Sequence, residues 1–133
     1  MTTQTSLVTG TDFVTIPTKD YEAAAEFYGN VLGLPFAKRW GNFPAGEFET
    51  GNLTLAIMQV DAFGIEFSPI STPIALRVDD VHAAREALEA RGVEFQGDII
   101  DSGVCHQAIF RDPDGNMLDL HHRYAPKDAA PGG

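Results

Sequence analysis

The sequence predicts an α+β fold: two β-α-β-β-β modules in tandem, forming a curved, mostly antiparallel sheet cup. Three observations predict it. The first is a pattern written twice, about sixty residues apart. Phe13-Val14-Thr15-Ile16-Pro17-Thr18-Lys19-Asp20 leads into an Ala-rich helical stretch that stops at Gly33. Pro73-Ile74-Ala75-Leu76-Arg77-Val78-Asp79-Asp80 leads into Val81–Arg91, which stops at Gly92. The second is that the repeat continues downstream, where Gly51-Asn52-Leu53-Thr54-Leu55 matches Gly115-Asn116-Met117-Leu118-Asp119. The third is geometric. One such unit leaves a sheet face and a helix face to bury, so two units side by side place helices on the convex side and leave the concave side open as a ligand cup.

The elements follow in order. Residues 1–10 are a polar lead-in. In the first module, 11–60, Thr11–Ile16 alternates apolar and polar residues and reads as a strand. Asp20 is a helix N-cap, with Glu22 favoured in the first turn by the helix dipole. Tyr21, Ala24, Ala25, Tyr28 and Leu32 recur at helical spacing up to Gly33, whose freedom at positive φ suits a helix end. Strands are predicted at Leu34–Trp40, Phe43–Glu49 and Asn52–Met58. Residues 61–72, with Gly64 and Pro69, read as a linker.

The second module, 73–124, repeats the order. It has a strand at Ile74–Val78, a helix capped by Asp79 or Asp80, and strands at Phe95–Ile100, His106–Phe110 and Met117–His121. Between the last two, Asp112-Pro113-Asp114-Gly115-Asn116 reads as a hairpin turn, with proline presetting φ and glycine taking the positive φ. Residues 125–133, rich in Pro, Ala and Gly, read as a frayed tail.

At 133 residues and 44% hydrophobic content the chain is one domain's worth. A net charge of −10 argues against nucleic acid and against an anionic membrane surface. The single Cys105 forbids an intramolecular disulfide, the start shows no signal peptide, and no apolar run is long enough to cross a bilayer. The expected location is the cytoplasm.

Three motifs carry a resemblance: Asp20-x6-Phe27-Tyr28-x3-Leu32-Gly33-Leu34, then Val78-Asp79-Asp80, then Phe110-Arg111-Asp112-Pro113-Asp114-Gly115-Asn116. In this order and in these copies the chain resembles the vicinal oxygen chelate superfamily over nearly all of residues 11–124. That superfamily includes glyoxalase I, bleomycin-resistance proteins, fosfomycin-resistance enzymes and extradiol dioxygenases. The fold carries many functions, so the resemblance speaks for fold more than for reaction. It also implies a homodimer. The modules pair either within one chain or across the dimer, and the 61–72 linker permits both.

Metal-using members place ligands on the first and last strand of each copy, where an open site lets a divalent cation polarise substrate oxygens. Carried over, the positions are Phe13, Leu55, Pro73 and Asp119, of which only Asp119 can bind a metal. The expectation is therefore a member without a cofactor, most like the bleomycin-resistance type, that holds a small organic molecule in the cup. The candidate ligand-binding residues are Phe13, Trp40, Phe43, Phe48, Leu55, His106, Phe110 and Asp119. The aromatics suit a planar ligand, and Trp40-Gly41-Asn42-Phe43-Pro44 sets two of them on a loop. Glu47 and Glu49 share the face opposite Phe48, as a general base, a counter-charge or a solvated face. Arg39 and Arg111 are carboxylate-binding candidates or surface ion pairs.

The alternative is an enzyme, a lyase, dioxygenase or epimerase, with a divalent metal (Fe, Mn, Ni or Zn) held by His106, Asp119 and His121 on neighbouring strands. Catalytic residues beyond these are not assigned. Cys105 and His106 are adjacent in a strand and point to opposite faces, so they cannot act as nucleophile and base, and Cys105 reads as a small buried residue.

Overall fold

The computed structural model describes residues 6–128. The first five residues of the lead-in and residues 129–133 of the tail lie outside the described residues. Strand β1 (Phe13–Thr18) is followed by helix α1 (Tyr21–Glu26), which runs on as a π-helical turn over Phe27–Val31. Then come β2 (Phe36–Arg39), β3 (Ala45–Glu49), β4 (Thr54–Gln59) and a 3-10 turn over Val60–Phe63. The order recurs as β5 (Ile74–Arg77), α2 (Val81–Ala90), β6 (Phe95–Asp101), β7 (Cys105–Arg111) and β8 (Met117–Arg123).

The strands form two four-stranded mixed sheets, β1-β4-β3-β2 and β5-β8-β7-β6. In each, the first strand runs parallel to the last while the other pairs are antiparallel. The helices start where expected. Asp20 Oδ1 accepts from the Ala23 amide at 3.3 Å, and Asp80 Oδ1 accepts from the Ala83 amide at 3.1 Å. β1 begins two residues later than expected and runs through Pro17 to Thr18. The proline is tolerated because β1 is an edge strand, where a missing N–H breaks no ladder bond. The expected linker opens with the 3-10 turn, which Gly64 ends at φ 75°.

The register sets which side chains meet the helices, because strand neighbours point to opposite faces. Ile16, Leu55, Ile57 and Phe48 share the helix-facing side of the first sheet, and Ala108, Phe110, Leu118 and Leu120 that of the second. Together with Tyr28, Val81 and Leu88 these residues form one continuous buried cluster that spans both copies. Deleting a large side chain from such a cluster costs about 2–5 kcal/mol.

The copies differ in length by one residue at two places. Twelve residues separate Asp20 from Gly33, but eleven separate Asp80 from Gly92. The extra residue in the first copy is taken up by the π turn, where the Leu32 amide reaches back five residues to the Phe27 carbonyl at 2.9 Å. In the second copy the addition is in the hairpin. Seven residues separate Phe110 from Leu118, against six between the matching Phe48 and Leu55.

Polar ties join the copies. The Tyr28 hydroxyl donates to Asp112 Oδ2 at 2.6 Å, Thr18 Oγ1 to Asp114 Oδ2 at 2.5 Å, and Asn116 Nδ2 to the Pro17 carbonyl at 2.8 Å. Burial, followed by the adjacent Asp112 charge, pushes the Tyr28 phenol far above its ordinary range, so it stays a donor. Asp112 also accepts from the amides of Asp114 and Asn116 and from Asn116 Nδ2, so this buried carboxylate has four donors.

Candidate functional site

The helix-free face of the first sheet carries Phe13, Ala56, Met58, Glu47 and Glu49, by alternation from the buried set. At its rim four aromatic rings gather. Phe13 meets Trp40 edge-on at 5.7 Å between centroids, Trp40 meets Phe63 at 6.5 Å, and Phe43 lies against Phe63 at 5.3 Å. Such contacts are worth about 0.5–1.5 kcal/mol each beyond area. Phe13 is 44% exposed and Phe43 56% exposed. The Trp40 indole N–H donates to Glu47 Oε2 at 2.7 Å, and Lys38 Nζ stands 3.9 Å from the same oxygen. Glu47 thus orients the indole. Glu49 is taken up by the Thr54 hydroxyl at 2.7 Å. Phe63 is absent from the sequence-derived set because it lies in the expected linker. The turn-ending Gly64 directly after it is the signal that it sits in a folded element.

On the helix-free face of the second sheet, Asp119 and His121 line up with Ile109 and Gln107 of β7. Asp119 is only 3% exposed, and its Oδ1 has no hydrogen-bond partner. Burial raises its pKa to about 6, opposed by a backbone hydrogen bond with Ala108.

Several expected site residues lie elsewhere. Phe48 and Phe110 face the helices and are core, packed against Phe36 at 5.4 Å and Phe95 at 5.1 Å. Leu55 is also core, at 1% exposure. The alignment of Gly51 with Gly115 misplaced it, because the second hairpin is one residue longer. In the strand register Leu55 matches Leu118, and the counterpart of Asp119 is Ala56.

His106 does not converge with Asp119 and His121. It pairs across the strands with His122, on the helix-facing side, while Asp119 and His121 point the other way. There its ring lies 4.8 Å from Tyr124 and 5.4 Å from His82, with Nε2 3.4 Å from Asp101 Oδ2. Arg39 is on the helix side too, ion-paired to Glu22 at 3.1 Å and set over the Tyr21 ring. Cys105 is buried, as read from its size.

In this register the positions that the resemblance implies for a metal become Phe13, Ala56, Pro73 and Asp119. A divalent cation needs several donors in one place, and of these four side chains only that of Asp119 carries a donor. These residues do not fit a metal. Among the described residues no group of three or more His, Cys, Asp or Glu side chains is placed to hold an ion. Nor does any described helix have the length and apolarity to cross a membrane.

Solved structures share this architecture. One is a glyoxalase/bleomycin resistance protein/dioxygenase from Nocardioides, at 24% identity, with a TM-score of 0.72 over 98% of this chain and 91% of that one. TnmS3, an antibiotic binding protein from a Streptomyces strain, matches at 24% identity and a TM-score of 0.71, over 90% of this chain and 99% of that one. A lactoylglutathione lyase from Agrobacterium tumefaciens matches at 18% identity and 0.69, over 87% and 95%. Likeness at these identities speaks for the fold alone. The family model of the Glyoxalase/Bleomycin resistance protein/Dioxygenase superfamily matches residues 10–120. With that match, the paired sheets and the motifs carried in both copies, the chain belongs to this superfamily.

Proposed function

We propose that the protein binds a small, partly apolar organic molecule on its helix-free face and does so without a metal. The observation that carries this reading is the set of side chains at the family's metal positions: Phe13, Ala56 and Pro73 supply no donor atom, leaving Asp119 alone. Binding energy then comes from burying ligand surface against the aromatic rim of Phe13, Trp40, Phe43 and Phe63, at about 25 cal/mol per Å². Glu47 holds the indole in place, and the buried Asp119 carboxyl lies beneath the helix-free face of the second sheet. Sequestration or carriage of a compound needs nothing more. The antibiotic-binding relative is in keeping with this role. The family resemblance adds a homodimer, which light scattering of the purified chain checks.

The deciding experiment is elemental analysis of the untagged protein before and after exposure to Fe(II), Mn(II), Ni(II) and Zn(II). It is followed by a thermal-shift screen of aromatic and antibiotic-like compounds. The expected result is no stoichiometric ion and at least one compound whose shift disappears in a Trp40→Ala variant. A tightly bound stoichiometric ion would overturn the metal-independent reading.

A further inference from the structure

The last hairpin of each copy lies against the first strand of the other copy, and only one of the two closes the gap. The β7–β8 hairpin is bonded to the outer edge of β1, whereas the β3–β4 hairpin faces the outer edge of β5 across a pocket of about 210 Å³. In the first place every group has a partner. The Asn116 carboxamide donates to the Pro17 carbonyl at 2.8 Å and accepts from the Ile70 amide at 2.8 Å, while Asp114 Oδ1 takes the Lys19 amide at 2.9 Å. In the second place the matching hairpin is one residue shorter and turns in on itself through Thr50 and Leu53. Its Asn52, the counterpart of Asn116, bonds only within the hairpin, with Oδ1 3.4 Å from the Thr50 hydroxyl.

The pocket therefore meets a strand edge whose backbone groups are open. β5 is an outer strand, paired to β8 alone and parallel to it. In such a strand the backbone groups of successive residues point alternately toward the partner and away from it. The Val78 amide donates to the His121 carbonyl at 2.9 Å, so Val78, Leu76 and Ile74 point inward to β8. The N–H and C=O of Ala75 and Arg77 then point outward, in the same phase as the Pro17 carbonyl at the matching place of β1. Among the described residues these outward groups have no partner. The pocket is lined by all four residues from Ile74 to Arg77, which is how a space along a strand edge is lined, so Arg77 contributes its backbone here. Its side chain belongs to the helix-free face, beside His121. The facing walls are Leu34, Leu53 and Leu55, with Thr50 and Asn52.

We propose that this pocket is a second ligand site, separate from the aromatic rim, and that it takes a small cyclic amide. The Arg77 N–H and C=O face the same way, so a matching ligand carries an acceptor and a donor side by side. A cyclic amide does, because its ring holds the amide bond cis, whereas an open-chain secondary amide is trans and points the two groups apart. The chain itself closes the matching place with an amide, the side chain of Asn116. The ring carbons lie against Leu34, Leu53 and Leu55. A dry apolar cavity of about 150 Å³ takes benzene, so this somewhat larger one suits about eight heavy atoms.

The test is an amide NMR titration of the full chain with ε-caprolactam and with cycloheptanone, which has the same ring size and carbonyl but no N–H. The expected result is saturable shifts at Asn52, Leu53, Leu76 and Arg77, with the lactam bound about tenfold more tightly than the ketone. This comparison needs no variant. Arg77→Pro removes the outward N–H, and Pro17 shows that an edge strand of this fold takes proline at the matching place. It is expected to weaken lactam binding about tenfold, while Arg77→Ala, which keeps the N–H, leaves affinity within about twofold of the parent. Four outcomes would overturn the proposal: shifts centred on Trp40 and Phe63, equal affinity for lactam and ketone, equal affinity of the two Arg77 variants for the lactam, or no saturable shift up to about 50 mM ligand. Tighter binding of acetyl-Gly-Leu-Gly-amide than of the lactam would also overturn it, by assigning the edge to an extended peptide.

Discussion

The β7–β8 hairpin and the β3–β4 hairpin occupy matching places in the two copies and carry different loads. The first reaches out of its own sheet. Asp112, Asp114 and Asn116 bind Tyr28, Thr18, Lys19 and Pro17 of the other copy. The second closes on itself, with the Thr50 hydroxyl donating to the Leu53 carbonyl at 2.6 Å and accepting from the Leu53 amide at 3.2 Å. One hairpin joins two copies into one core, while the other only ends a strand. A duplicated unit can therefore place its structural demands on one copy, leaving the other copy's helix-free face to carry the aromatic rim.

The largest expected effect separates these roles. Asp112→Ala leaves the Tyr28 hydroxyl, two amides and the Asn116 side chain without their acceptor in a buried place. A loss of about 3–4 kcal/mol in urea unfolding is expected, since orphaned buried donors cost about 1–3 kcal/mol each and relax together. Thr50→Ala in the matching hairpin is expected to cost about 1 kcal/mol. Equal costs would show that the hairpins share the load.

The repeat was legible because its markers are local. Asp20 and Asp80 cap helices through their own side chains, and Gly33, Gly92 and Gly115 take positive φ that other residues resist. What was not legible is register. A single inserted residue in the second hairpin moved Leu55 from cup to core and gave its place to Ala56. His106 was misjudged for a related reason: strand neighbourhood was readable, but the phase of one strand against the next depends on how many residues the turn consumes. Phe63 was missed because a 3-10 turn has no amphipathic period to read. The bond between Tyr28 and Asp112 spans 84 positions, and no local pattern announces it.

The next effect sharpens the contrast within the first copy. Gly46 of β3 lies under the Tyr21 ring, and a Cβ there would be driven into the Tyr21 hydroxyl. Gly46→Ala is expected to cost about 2 kcal/mol, through displacement of Tyr21 from the buried cluster. Gly41→Ala, where the added carbon meets open space but φ is 58°, is expected to cost about 1 kcal/mol. Comparing the two midpoints in one denaturant series separates a packing clash from backbone strain.

A smaller effect tests the second copy's face. The Asp119 carboxyl titrates near 6 when folded, above its ordinary value, so the native state holds that proton more tightly than the unfolded chain. Its contribution to stability is intact below pH ~4 and is lost as pH rises through about 6. Asp119→Asn removes that penalty. A gain of about 2 kcal/mol or less is expected at pH 7.5, and none at pH ~3.5. Thermal melts at both pH values check it. A loss of stability at pH 7.5 would mean that the charged carboxylate has a partner in solution.

The smallest expected change in stability falls on the rim and carries the most information about function. Phe43 is 56% exposed and lies tilted against Phe63 at 5.3 Å, so Phe43→Ser is expected to shift unfolding by about 0.5 kcal/mol or less. If the rim is a binding surface, the same variant weakens a ligand found by thermal shift about tenfold, the cost of losing one aromatic contact. Phe36 provides the control. It is equally exposed, also at 56%, and also touches another phenylalanine, though edge-on and on the helix side of the same sheet. Phe36→Ser should therefore cost similar stability and leave affinity unchanged. The two rings are matched in exposure and occupy opposite faces, and loss of binding in both variants would place the ligand somewhere other than the helix-free face.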